Sequence, residues 1–248
     1  MPKIYLSPST QESNPYVTGS GSEEYNMNLL ADALEPYLLS NGIQWVRNTP
    51  QMTAASSIRQ ANELGGFDFY LALHSNASGA GSEGANRGII VFYYPTSSRG
   101  QEAAELFAEN LRAVYPLPDR VYTRSTTSLG EVRQPRYPAN LIELGYHDNY
   151  ADAIWIEENR DASAQAIARA LTEYFGIPFI YPQAVREGRV ATGGSALRLR
   201  DYPGQQGSVL TLLPNGAEIM VYGEWDGWYV VHYGELVGYA SAAYIDLV

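Results

Sequence analysis

The side chains able to do hydrolytic chemistry are few, because the chain has three histidines and no cysteine. Without cysteine there are no disulfides, no thiolate metal site and no cysteine nucleophile. His74 ends the run FDFYLALH and His147 follows the run ANLIELGY, so both stand where an apolar strand passes into a loop. Sheets of parallel strands place their ligand-binding and catalytic groups at such carboxyl ends. His232, in WYVVHYGE, reads more plainly as a structural or surface residue. Glu143 is embedded in NLIELGY. A carboxylate in a buried strand is costly unless it is paired, metal-associated or protonated. Glu23 and Glu24 open a helical stretch, where the helix dipole by itself favours acidic side chains. One Glu and one His from separate elements can form part of a zinc site with an open position, and a further Glu can activate water there.

The elements that must position these groups alternate. KIYLS, IQWVRN, FDFYLALH, GIIVFYY and ANLIELGY are short apolar runs suited to buried strands. Between them, Met27, Leu30, Leu34 and Leu38 recur at helical spacing, with Pro36 inside the stripe as a potential kink. SRGQEAAELFAENLRAVY and AQAIARALTEYFG read as further helices, the last capped by Gly176. This pattern predicts an α/β domain over residues 1–177, a mostly parallel sheet flanked by helices. Residues 178–188 read as a connector, and residues 189–248 as a small all-β barrel with hairpin turns at Asn215–Gly216 and Asp226–Gly227.

Composition narrows the partners. A net charge of -11 argues against nucleic acid and against simple attraction to an anionic surface. The longest apolar run, Gly88–Tyr94, is too short to span a bilayer, and MPKIYL enters strand-like sequence without a secretory h-region. Work outside the cell then implies another export route or a trimmed chain.

Three segments in order, SEEYNMNLLADAL, FYLALHSNAS and YPANLIELGYHDN, resemble the zinc-dependent N-acetylmuramoyl-L-alanine amidases of the amidase-3 type over about the first 177 residues. The segment ALRLRDYPGQQGSVLTLLPNGAEIMV and the WDGWYVVHYGELVGYASAAYI that follows resemble bacterial SH3 domains, over residues 189–248. The resemblance implies a peptidoglycan hydrolase, of autolysin or endolysin kind, that cleaves the amide between N-acetylmuramic acid and L-alanine. It implies zinc bound by Glu24 and His74, Glu143 as the catalytic base, and Asn76 and His147 as groups that orient ligands or touch the peptide. The SH3-like module implies attachment to cell wall, with Trp225, Trp228 and Tyr239 as candidate contacts, and hence a wall or extracellular location.

The family's first zinc histidine belongs in the loop after the first strand, which here reads SPSTQESN. Thr10 or Gln11 stands at the matching place, and Ser13 can also be aligned with it. Gln11 could serve through its amide oxygen, a weaker zinc ligand than imidazole. Alternatively, His147 could complete a His–Glu–His set, or the metal could be lost, leaving a peptidoglycan-binding protein on an amidase scaffold. Glycoside cleavage by Glu24 and Glu143 leaves His74 without a role. A serine hydrolase is disfavoured because no G-x-S-x-G elbow occurs.

Overall fold

A computed structural model describes all 248 residues, Met1–Val248. The chain divides into two compact units, one of residues 3–35 and 45–174, the other of residues 1–2, 36–44 and 175–248. In chain order the first part reads β1 (Lys3–Pro8), α1 (Glu23–Ser40), β2 (Gln44–Arg47), α2 (Ala54–Leu64), β3 (Phe69–Asn76), β4 (Ile89–Tyr93), α3 (Ser98–Arg112), β5 (Val121–Ser125), α4 (Gly130–Arg133), β6 (Ala139–Tyr146), α5 (Tyr150–Glu158) and α6 (Arg160–Phe175). The strands form one sheet in the order β2-β1-β3-β6-β4-β5. β1 and β6 flank β3 in parallel, β5 runs parallel to β4, and only β4 with β6 is antiparallel among these pairs. The five apolar runs of the sequence became β1, β2, β3, β4 and β6. The near-continuous apolar character of β3 follows from its burial along almost its whole length.

Alternation along the strands defines the face that matters. Tyr5 of β1 pairs with Tyr70 of β3, Ser7 with Ala72, Ala72 with Leu141 of β6, and His74 with Glu143. Tyr5, Tyr70, Ala72, Ala139 and Leu141 pack there against Ile58 and Ala61 of α2 and Val132 of α4. Ser7, His74 and Glu143 continue the same face at the carboxyl ends of β1, β3 and β6. α2 starts in a capping box, with Thr53 accepting from Ser56 N and Ser56 Oγ accepting from Thr53 N. Its buried residues include only Ser57, Ile58 and Ala61, a stripe too small to read as an apolar face from sequence.

The second unit holds β7 (Arg186–Val190), β8 (Leu197–Arg200), β9 (Val209–Leu213), β10 (Glu218–Trp225), β11 (Trp228–Tyr233), β12 (Leu236–Ser241) and β13 (Ile245–Leu247), in the order β13-β7-β10-β11-β12-β8-β9. Asp226 and Gly227 both have positive φ, 46° and 78°, as a two-residue turn between β10 and β11 requires. Leu199, Leu213, Val221, Val231 and Ala240 fill the interior. The stretch read as a connector contributes to this unit. Ile180 is buried against Val230, Val237 and Tyr239, its N donates to Asn41 Oδ1 at 2.6 Å, and β7 already begins at Arg186. Tyr239 is 0% exposed in that cluster, so it is a core residue and not available to a wall polymer. Trp228 packs on the same cluster, while Trp225 is 37% exposed. His232 is half-buried with its ring against Tyr222, and burial pushes its pKa down.

Candidate active site

The loop after β1 is stitched to the start of α1. Gln11 N donates to Ser9 Oγ at 3.2 Å, Asn14 O accepts from Glu23 N at 2.8 Å, and Gln11 O accepts from Glu24 N at 3.4 Å. Loop carbonyls thereby satisfy amide groups that a helix start leaves open. The same stitching turns Glu23 inward. Glu23 is 1% exposed, and its Oε1 lies 2.8 Å from His74 Nδ1. Successive helix residues point about 100° apart, so Glu24, the expected ligand, is half-buried and makes no contact with His74. In the structure it is the adjacent Glu23 whose carboxylate lies against His74.

Gln11 is brought to the same spot. Its Nε2 lies 3.4 Å from Glu23 Oε1 and 3.4 Å from His74 Nδ1. Asn14 Nδ2 closes the arrangement, donating to Glu23 Oε2 at 2.8 Å and to Gln11 Oε1 at 3.1 Å. On the other side of the ring, His74 Nε2 lies 2.9 Å from Glu131 Oε2. Glu131 Oε1 accepts from Ser7 Oγ at 2.7 Å and from Tyr70 OH at 2.8 Å. Burial opposes charge on His74, but the hydrogen bonds its ring donates to Glu131 and Glu23 outweigh it and hold its pKa well above the ordinary imidazole value. Burial likewise opposes charge on Glu23 and Glu131, and the His74 hydrogen bond and charge bring both below the usual carboxylate range.

Glu143 differs from these two. Its Oε2 is occluded and has no hydrogen-bond partner. Burial, only partly offset by His74, pushes its pKa from 4.5 up to about 7. A cleft of about 750 Å³ opens over this set, lined by the Ser7–Ser13 loop, Thr53, His74, Gly130, Glu131 and Glu143. Two expected site residues stand elsewhere. His147 Nδ1 donates to Ser75 O at 2.8 Å and its ring stacks on Tyr16, so it does not complete the set around His74. Asn76 Oδ1 accepts from Ala77 N and its carbonyl from His147 N, which makes it part of the strand-end turn.

No group of three His, Asp or Glu side chains assembles as a metal cluster. What converges is one imidazole nitrogen, one carboxylate oxygen and one carboxamide. Donors about 2.0–2.1 Å from a tetrahedral ion stand about 3.4 Å from one another; Gln11 Nε2 lies at 3.4 Å from both Glu23 and His74, whereas Glu23 and His74 stand closer, at 2.8 Å, as a hydrogen-bonded pair.

A six-stranded mixed sheet with helices, a cleft at the carboxyl strand ends and a buried Glu–His–Glu cluster define an α/β protein with its candidate site where such sheets bind ligands. Residues 4–173 match the N-acetylmuramoyl-L-alanine amidase family, and the chain belongs to it. Residues 195–246 match the bacterial SH3 domain. A sporulation-specific N-acetylmuramoyl-L-alanine amidase of Bacillus subtilis (strain 168) is 28% identical over 160 residues, covering 62% of this chain and 59% of that protein. The chain thus spans about three-fifths of that relative's length. Among solved structures, the amidase AmiC2 of Nostoc punctiforme matches with a TM-score of 0.61 at 18% identity, over 71% of this chain and 97% of that one. The catalytic domain of CwlV from Bacillus (Paenibacillus) polymyxa var. colistinus matches at 0.62 and 18% identity, over 72% and 100%. These two establish a shared fold.

Glu131, Ser7 and Tyr70 were not anticipated as site residues. Glu131 lies on a single helical turn that carries no periodicity, in a stretch that reads as a polar loop. Tyr70 did carry a signal, because a tyrosine in a buried run needs a partner for its hydroxyl.

Proposed function

We propose that this protein is a peptidoglycan amidase that cleaves the bond between N-acetylmuramic acid and L-alanine, held at the cell wall by its SH3 unit. The observation that carries this reading is Glu143, whose occluded Oε2 has no partner and which lines the same cleft as Gln11 and His74, its neighbour across the sheet. An unpartnered oxygen, on a carboxylate that lines the cleft and titrates near neutral pH, suits proton exchange with a reactant.

The donors fit a divalent ion such as zinc. Glu23 and His74 Nδ1 share a proton where a cation would be shared. Gln11 can present Oε1 by a half-turn of its carboxamide, since the hydrogen-bond network alone assigns its oxygen and nitrogen. The site also carries three buried carboxylates against one imidazole, an excess of negative charge that suits a cation. A bound ion there supplies Lewis acidity, polarising the scissile carbonyl and acidifying water. Glu143 takes the proton of the attacking water and delivers it to the departing nitrogen of L-alanine, a task suited to a group titrating near neutral pH. The Ser7–Ser13 loop forms one wall of the cleft and positions the peptide. In the SH3 unit, Trp225 is exposed and Trp228 partly so, and they are the aromatic candidates for contact with the wall.

Incubating purified peptidoglycan with the full chain tests this. Release of new L-alanine amino termini is expected from the parent and not from Glu143→Gln. Cleavage by that variant at the parental rate contradicts the mechanism.

One observation favours a second reading, a wall-binding protein without cleavage: the third donor is an amide where a stronger ligand would be expected. That reading predicts binding to peptidoglycan with no amino termini released by the parent.

A further inference from the structure

Glu131 has no place in the chemistry described above, yet it is 5% exposed and its side chain bonds to His74, Ser7 and Tyr70. It reaches His74 Nε2 from α4, a helix of one turn, and its other oxygen is held by Ser7 Oγ and Tyr70 OH. These two hydroxyls come from different strands, β1 and β3. Tyr70 is itself fixed by stacking on Tyr5 at 5.2 Å, and Ser7 Oγ accepts a further bond from Asn48 Nδ2 at 3.2 Å. Glu131 is therefore immobilised from two strands before it meets the imidazole. A carboxylate fixed this way dictates the plane and rotation of the ring it holds.

We propose that Glu131 is a positioning residue: it pins His74 by Nε2 so that Nδ1 is aimed at Glu23 and Gln11. The claim rests on the reading of those three side chains as a cation site, and it concerns a residue of this chain outside the donor set. A carboxylate behind a ligating histidine raises the basicity of the other ring nitrogen and reduces the rotation that is lost on binding. The remaining members of the network, Ser7 and Tyr70, act through Glu131 and touch neither His74 nor the donors in this arrangement.

The test uses the full chain as Glu131→Ala, Glu131→Gln and the parent, with circular dichroism to establish folding. Two readouts are taken. The first is zinc affinity by competition with a chromophoric chelator. Glu131→Ala is expected to lose about 10- to 100-fold, and Glu131→Gln to recover much of it, because an amide oxygen still accepts from Nε2–H and the Ser7 and Tyr70 hydroxyls can reverse their roles. The second is the His74 Hε2 resonance in the metal-free protein, expected as a slowly exchanging downfield proton in the parent and in Glu131→Gln, and absent in Glu131→Ala. A folded Glu131→Ala that keeps both the parental zinc affinity and the protected ring proton overturns the proposal. If the parent binds no zinc, the cation reading falls while the ring proton still decides on Glu131: its loss in Glu131→Ala alone supports positioning, and its persistence refutes it. If the alanine variant does not fold, parental values of both readouts in Glu131→Gln support the amide-tolerant hydrogen bond, and loss of the ring proton in that variant overturns it.

Discussion

On one face of the α/β sheet, the apolar cluster of Tyr5, Tyr70, Ala72 and Leu141 gives way at the strand ends to Ser7, His74 and Glu143, met there by Glu131 of α4. In the β-rich unit, Leu199, Leu213, Val221 and Val231 pack with apolar neighbours, and the buried charged group is Arg200, 8% exposed. Arg200 is satisfied locally: its Nη1 donates to the carbonyls of Gln205 and Gly207, tying down the loop that follows β8. The buried charge of the β-rich unit thus closes on the backbone of its own loop, and the buried groups left without a partner there, His232 Nε2 and Tyr239 OH, are ones that carry no full charge. In the α/β unit the buried charges cluster instead: His74 lies between Glu23 and Glu131, and Glu143, its neighbour across the sheet, keeps one carboxylate oxygen without a partner. Desolvating such a group costs stability without a compensating bond. A fold keeps that arrangement where chemistry needs it, whereas a small barrel of seven strands keeps what holds it together.

The contrast can be broken at either end. The largest effect is expected from Glu143→Gln, which should lower the rate of amide cleavage by about 10²- to 10⁴-fold while leaving peptidoglycan binding and circular dichroism at parental values. A comparable loss of binding would move Glu143 from proton transfer to architecture. In the β-rich unit the corresponding experiment is Leu199→Ala, at a fully buried core position. It should cost about 2–5 kcal/mol in denaturant unfolding of that unit and leave cleavage of small soluble muropeptides near the parental rate. Equal damage to soluble-substrate cleavage would mean that the unit does more than attach the enzyme.

The smallest of these effects is thermodynamic and carries a sign. Glu143 titrates near 7 in the folded chain and at its ordinary 4.5 when unfolded, so the folded state holds its proton more tightly. Below about pH 4.5 both states are protonated and the residue is neutral to stability. From there to about pH 7 stability falls as pH rises, and above it the deficit is constant at up to about 3 kcal/mol. In chelator-stripped protein, Glu143→Gln should therefore raise Tm at pH 8 and leave it unchanged at pH 4. An increase that is equal at both pH values would refer the gain to packing and not to ionisation.

The parts of this site that were legible in the sequence are those carried by regular elements. Apolar runs marked β1, β3 and β6, and a carboxylate inside one of them marked Glu143. His74 was legible as a strand-end residue, and Gln11 as the occupant of a loop position where the resemblance implies a histidine. The rest depended on local geometry that periodicity does not encode. Glu23 and Glu24 are adjacent and chemically identical, and only the hydrogen bonds between the loop carbonyls and α1 decide which of them turns inward. Glu131 sits on one helical turn, too short for a stripe, and β5 is an edge strand whose mostly exposed residues form no apolar run. Tyr239 looked like a wall contact because aromatic residues serve both cores and surfaces; its neighbours across the sheet decide for the core.

The account centres on a cation held by one imidazole, one carboxylate and one carboxamide. X-ray absorption at the zinc edge of the zinc-loaded full chain tests this most directly. The expected result is one tightly held zinc per chain in a shell of nitrogen and oxygen at about 2.0–2.1 Å, with the multiple scattering of a single imidazole. A shell with two or more imidazoles would bring His147 back to the metal and contradict the geometry, and a chain that retains no zinc would contradict the cation site itself.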